Sequence, residues 1–78
     1  MKNILTGKNG RERFYVARQT DGWIGFTQLL SAVPIEVGSI EEGLALCNPD
    51  EITGLEFELM EVPAIGTIRQ MSLFTSPN

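Results

Sequence analysis

Histidine is absent from this chain, and cysteine occurs once, at Cys47. Without an imidazole there is no ordinary general base and none of the common catalytic triads. A single thiol cannot close an internal disulfide, and a structural zinc site needs four Cys or His ligands. Long apolar runs are missing too. No stretch approaches the length that crosses a membrane. Residues 1–7 hold no apolar core long enough for a signal peptide. The lone cysteine fits a reducing compartment, so a cytoplasmic protein is expected. A phosphate-cradling glycine loop is also absent: Gly7-Lys8-Asn9-Gly10 is too short and precedes no helix. The carboxylate pairs Glu41–Glu42, Asp50–Glu51 and Glu56–Glu58 lack a recognised metal-ligand spacing. Acids at a helix start are ordinarily dipole partners, and alternating acids on a strand form a solvated face. No catalytic residue, cofactor or metal is therefore expected.

What is present is a chain of 78 residues, one domain spanning 1–78. A chain this short exposes much of its surface, and with disulfide and metal excluded its core needs good packing or a partner. Association with itself or with another protein is the expectation. The net charge of −4 disfavours a general nucleic-acid partner. The charge is nevertheless segregated. Lys2, Lys8, Arg11, Arg13 and Arg18 against Glu12 give residues 1–18 a sum of +4, and the remainder sums to −8. Basic first strands paired with a later acidic strand would gain roughly 0.2–1 kcal/mol per cross-strand pair. The alternative is an anion- or nucleic-acid-binding segment, with Lys8, Arg11, Arg13 and Arg18 interleaved with Phe14, Tyr15 and Trp23.

Two apolar runs flank Asp21-Gly22, a strong hairpin signal. A two-residue turn there would leave neither face cleanly apolar. A three-residue loop, Thr20-Asp21-Gly22, sets Gln19 opposite Trp23 and Val16 opposite Phe26. Phe14, Val16, Ile24 and Phe26 then share one face, and Tyr15, Ala17, Gln19, Trp23, Gly25 and Thr27 the other. A one-residue slip exchanges faces, so burial selects the three-residue loop, with Gly22 at positive φ. Asn9-Gly10 signals an earlier turn, with residues 1–10 either a short first strand or a loose arm.

Phe26, Leu29, Leu30 and Val33 fit a helical period, so 26–33 is either a helical turn or a strand exit, ended by Pro34. Residues 34–37 read as a short edge strand, where proline is tolerated. Ser39-Ile40-Glu41-Glu42 is a capping box opening a helix over about 40–48, stopped by Asn48-Pro49. Gly43 inside it implies close packing, since glycine costs a helix about 1 kcal/mol relative to alanine. Cys47 near its end reads as a small buried thiol. Leu55 to Leu59 alternates strictly, as a half-buried strand does. Residues 62–67 read as a turn and 67–74 as a last strand. The expected fold class is α+β: an antiparallel sheet of four to six strands, open or barrel-like, with one short helix.

The strand, acidic-glycine turn, Gly25-Phe26 and capped Ser39-Ile40-Glu41-Glu42-Gly43-Leu44 helix of residues 14–48 resemble the N-terminal part of HicB-type antitoxins. The resemblance covers fewer than half of the residues and implies an antitoxin-like regulator. No separate DNA-binding segment is expected after the last strand, and no functional residue carries over.

The residues therefore point to a non-catalytic, self-associating interaction protein, of the type found as accessory proteins of bacteria or mobile elements. Tyr15 and Trp23 off the core face, with Met60, Met71 and Leu73 outside the last hairpin, are the expected contact residues.

Overall fold

The structure, a computed structural model, describes residues 2–62. The expected final strand and its residues Met71 and Leu73 lie outside them. The described elements are β1 (Lys2–Asn9), β2 (Glu12–Arg18), β3 (Ile24–Thr27), β4 (Val33–Pro34), α1 (Ile40–Leu44), α2 (Pro49–Ile52) and β5 (Glu56–Val62). Every strand pairing is antiparallel, in the order β3-β2-β1-β5, with β4 on β2. The fold is α+β. Among the described residues the sheet is open, because β3 and β5 end the order without meeting, so a barrel does not form.

The sheet has a core on each face. One cluster joins Leu5, Val16, Phe26 and Val37, with Phe14, Ile24, Phe57, Leu59 and the helix residues Ile40, Leu44 and Ile52 against it. The other joins Ile4, Tyr15, Ala17, Ala32 and Val62. This two-sided burial corrects the view of residues 1–10 as a short strand or loose arm. β1 is eight residues long and pairs with β2 on one edge and β5 on the other. Ile4 and Leu5 are both fully buried. Adjacent apolar residues on a strand point to opposite faces, so each needs its own core.

The β2–β3 hairpin has the three-residue loop. Val16 pairs with Phe26, and the Gln19 N–H donates to the Trp23 carbonyl at 2.9 Å. Gly22 sits at φ +86°, and the Trp23 N–H donates to the Asp21 carboxylate at 2.9 Å. At the β1–β2 turn, Asn9 pairs with Glu12, leaving Gly10-Arg11 as the loop with Gly10 at φ +63°.

After Thr27 the strand ends, and the chain turns at Leu29–Ala32, so the strand exit, not a helix, forms. This loop crosses the Tyr15 face of β2, and the chain then enters the plane of the sheet. Ala17 pairs with Pro34, the Ile35 N–H donates to the Val16 carbonyl at 3.1 Å, and Glu36 bridges Ile4. Residues 33–37 thus wedge between the diverging halves of β1 and β2. The expected edge strand is an interior one, and the neighbouring Ile35 N–H makes the bond to β2 that a proline nitrogen cannot.

From the wedge the chain emerges on the opposite face as α1. The Glu42 N–H donates to Ser39 Oγ at 3.1 Å, as the capping pattern requires, but the Glu42 carboxylate accepts from the Gly38 N–H at 2.6 Å instead of from Ser39. Gly43 is buried against Leu5: a Cβ there would lie 2.5 Å from Leu5 Cδ2. The helix is five residues long, shorter than expected. Asn48-Pro49 does not merely stop it. Proline at the first helical position starts α2, and the Asn48 N–H donates to the Glu51 carboxylate at 3.0 Å.

Candidate contact surface

Tyr15 lies on the face expected for it, but it is fully buried. Its hydroxyl donates to the Leu29 carbonyl and to the Ala32 carbonyl, the latter at 3.1 Å. The loop it clasps covers it, which withdraws it as an exposed contact residue. Burial raises its pKa, so the phenol keeps the proton that makes these bonds. The expectation for Met60 is corrected likewise. Met60 is half-buried and packs on the cluster around Tyr15, because the second face of the sheet is a core and not an outer surface. Val62, expected in a turn, is the buried end of β5.

Trp23 is half-buried, with its ring over Gly25: a Cβ at Gly25 would meet Trp23 Cη2 at 2.5 Å and Glu51 Oε1 at 2.6 Å. It belongs to neither buried cluster.

The clasp also has an outward consequence. The Leu29 N–H donates to Thr27 Oγ1 at 3.0 Å and the Ala32 N–H to the Leu29 carbonyl at 3.1 Å, so side chain and backbone together fix the loop. On this fixed loop Leu29 is 53% exposed, and Val33 at its end is 51% exposed. Periodicity placed both on a helical stripe and did not mark either as a contact residue. A signal does exist in the sequence: Gly22–Ile35 is a run of fourteen residues without one charged side chain.

The basic residues do not form one patch. Lys8 Nζ lies 3.8 Å from Glu56, its direct partner on β5, and Lys2 Nζ lies 3.6 Å from Glu36. Arg13 stands opposite Lys8 on the Tyr15 face, whereas Arg18 pairs with Ile24 on the other. Arg11 and Arg18 are about 20 Å apart at the rise of a strand. A cleft of about 130 Å³ is lined by Thr6, Lys8, Arg13, Glu56, Glu58 and Met60, among others. Its two cations and two carboxylates cancel, so it offers an anion no net attraction.

Cys47 is half-buried in the turn after α1, and its thiol donates to the Gly43 carbonyl at 3.6 Å. Burial first, and the nearby Glu51 carboxylate second, push its pKa up to about 11. A thiol so placed is protonated at neutral pH and is a poor nucleophile. Among the described residues no group of three or more Cys, Asp or Glu side chains could hold a metal ion. No helix among them is long and apolar enough to cross a membrane.

No family model matches this chain, and no curated protein or solved structure is significantly similar to it.

Proposed function

We propose that this chain is a non-catalytic, cytoplasmic protein that acts through protein–protein contact, and that the clasped loop carrying Leu29 and Val33 is the contact surface. The observation that carries the reading is the pairing of exposure with rigidity. Leu29 is about half exposed on a loop whose backbone is held by the Tyr15 hydroxyl, and Val33, also about half exposed, opens β4 where that loop ends. Exposed apolar groups on a fixed frame bind with little ordering cost, which is the usual economy of an interface. Half-buried Trp23 adds an aromatic of the kind enriched at binding hot spots. The protonated Cys47 and the charge-balanced cleft support a non-catalytic role, and a lone reduced thiol supports the cytoplasm.

Affinity capture with the intact chain tests this. Leu29→Asp and Val33→Asp each place a charge on the loop at an exposed position, so their far-UV circular dichroism should match the parent. The expected result is loss of the parent's binding partners from both variants. Retention of every partner by both would rule out the loop as the contact surface.

A further inference from the structure

We infer that the cleft near the β1–β2 turn is a self-association surface, met by the same cleft of a second copy of this chain. This surface is distinct from the crossing loop and stands on its own observation, the order of charges across three strands. In the sheet β2 lies beside β1, and β1 beside β5. Arg13 is the direct cross-strand partner of Lys8, and Lys8 of Glu56, so all three side chains project from one face. Glu58 stands two residues along β5 from Glu56 and shares that face. The charge of the cleft is therefore zero in sum but divided in place, with cations on β2 and β1 and carboxylates on β5.

Strand pairing leaves each half with like charges side by side. Arg13 faces Lys8, and like charges directly opposite on paired strands are destabilising. Lys8 has Glu56 as a counter-ion at 3.8 Å. Among the described residues no ion pair serves Arg13 or Glu58, and both are exposed. A partner of one sign would satisfy one of them and repel the other. The complementary partner presents a carboxylate and a cation in the reverse order at the same spacing. A second copy does so by construction, because across a two-fold interface residue i meets residue j and j meets i. The charges also select the axis. An axis parallel to the strands sets the β2 side of one copy over β5 of the other, with Arg13 of each against Glu58 of the other. An axis across the strands would lay β2 over β2 and oppose like charges. Complementary charge fixes register more than it supplies affinity, and half-buried Met60 in the lining adds apolar surface to the contact.

Gel filtration with light scattering, run on the full chain up to high concentration, tests the inference. The expected result is a two-chain mass for the parent. Arg13→Glu and Glu58→Arg each make both symmetric contacts repulsive, and each should raise the midpoint of association at least about tenfold, a change of ~1.4 kcal/mol. The two substitutions move the net charge in opposite directions, so general repulsion between copies cannot account for a loss in both. Mixed in equal amounts, the two variants should recover the parent midpoint, because every contact between unlike variants again joins opposite charges. The double variant carrying both substitutions should recover it as well. Arg18→Glu is the control: Arg18 is exposed, lies on the opposite face and lines no part of the cleft. It should leave the association in place. A one-chain mass for the parent at every concentration overturns the inference. So does a two-chain mass that Arg13→Glu and Glu58→Arg leave intact, one that Arg18→Glu disrupts as strongly, or a failure of both the mixture and the double variant to recover it. Capture by the loop is measured with other residues, so either reading can fail while the other stands.

Discussion

One hydroxyl holds the crossing loop over the Tyr15 face of the sheet. The Tyr15 proton is shared between the Leu29 and Ala32 carbonyls, and the Ala32 carbonyl bond is buried. Tyr15→Phe keeps the ring and removes the hydroxyl that makes these bonds. A carbonyl left buried without a partner costs about 1–3 kcal/mol. The urea midpoint should fall accordingly with an unchanged slope, and an unchanged midpoint would show that the clasp contributes nothing. Cys47 yields a second test at this scale. Its folded pKa of about 11 lies above that of an unfolded thiol, near 8.5. The unfolded chain therefore loses the thiol proton first as pH rises. The stabilisation from the neutral buried thiol is fully present below about pH 8.5 and is lost as pH climbs towards the folded value. Alkylation of the native protein at pH 8 should be much slower than alkylation in urea, and it should accelerate only near pH 11. Equal rates at pH 8 would mean that the thiol is neither buried nor perturbed.

At the scale of elements, the tightest joint is α1 against β1. Gly43 meets Leu5 so closely that a methyl group would overlap Leu5 Cδ2 and come within 2.9 Å of Leu5 Cβ. On propensity alone, Gly43→Ala would strengthen the helix by about 1 kcal/mol. Overpacking costs about 1–3 kcal/mol, and the fully buried Leu5 has no free direction in which to yield. Net destabilisation is expected, read as a lower thermal midpoint. In combination with Leu5→Ala the two effects should sum to less than their separate costs, because the smaller residue makes room. Additive losses would argue that the two residues do not share this joint.

Elements set by local chemistry were legible in the sequence. The β2–β3 register followed from which residues must be buried together, and the start of α1 from Ser39 with Glu42 three residues on. Gly43 announced its close contact through its cost to a helix. What escaped were features created by the path of the chain between elements. The loop after β3 crosses the sheet and turns the face of Tyr15 and Met60 into a second core. The wedge of residues 33–37 then separates β1 from β2 and makes Ile4 interior. No periodicity within a strand encodes what covers its second face. The exposure of Leu29 and Val33 was illegible for the same reason: both fit a helical stripe, and only the folded path of the chain leaves them at the surface.

For the molecule as a whole, the response to salt separates the two kinds of association its charge distribution allows. Copies at −4 repel one another through a screening length of about 8 Å at physiological ionic strength. Added sodium chloride weakens that repulsion and leaves apolar burial between neutral patches undiminished. If copies associate through apolar burial, the associated fraction should therefore rise with salt. It should also rise as pH falls towards the sequence pI of about 4.6, where net charge vanishes. An assembly held by the basic first strands against acidic partners would behave in the opposite way, dissociating as salt screens its ion pairs. If light scattering shows the two-chain mass falling with salt, the interface is ionic. The exposed Arg11, Arg13 and Arg18, and not the neutral crossing loop, then become the side chains to substitute.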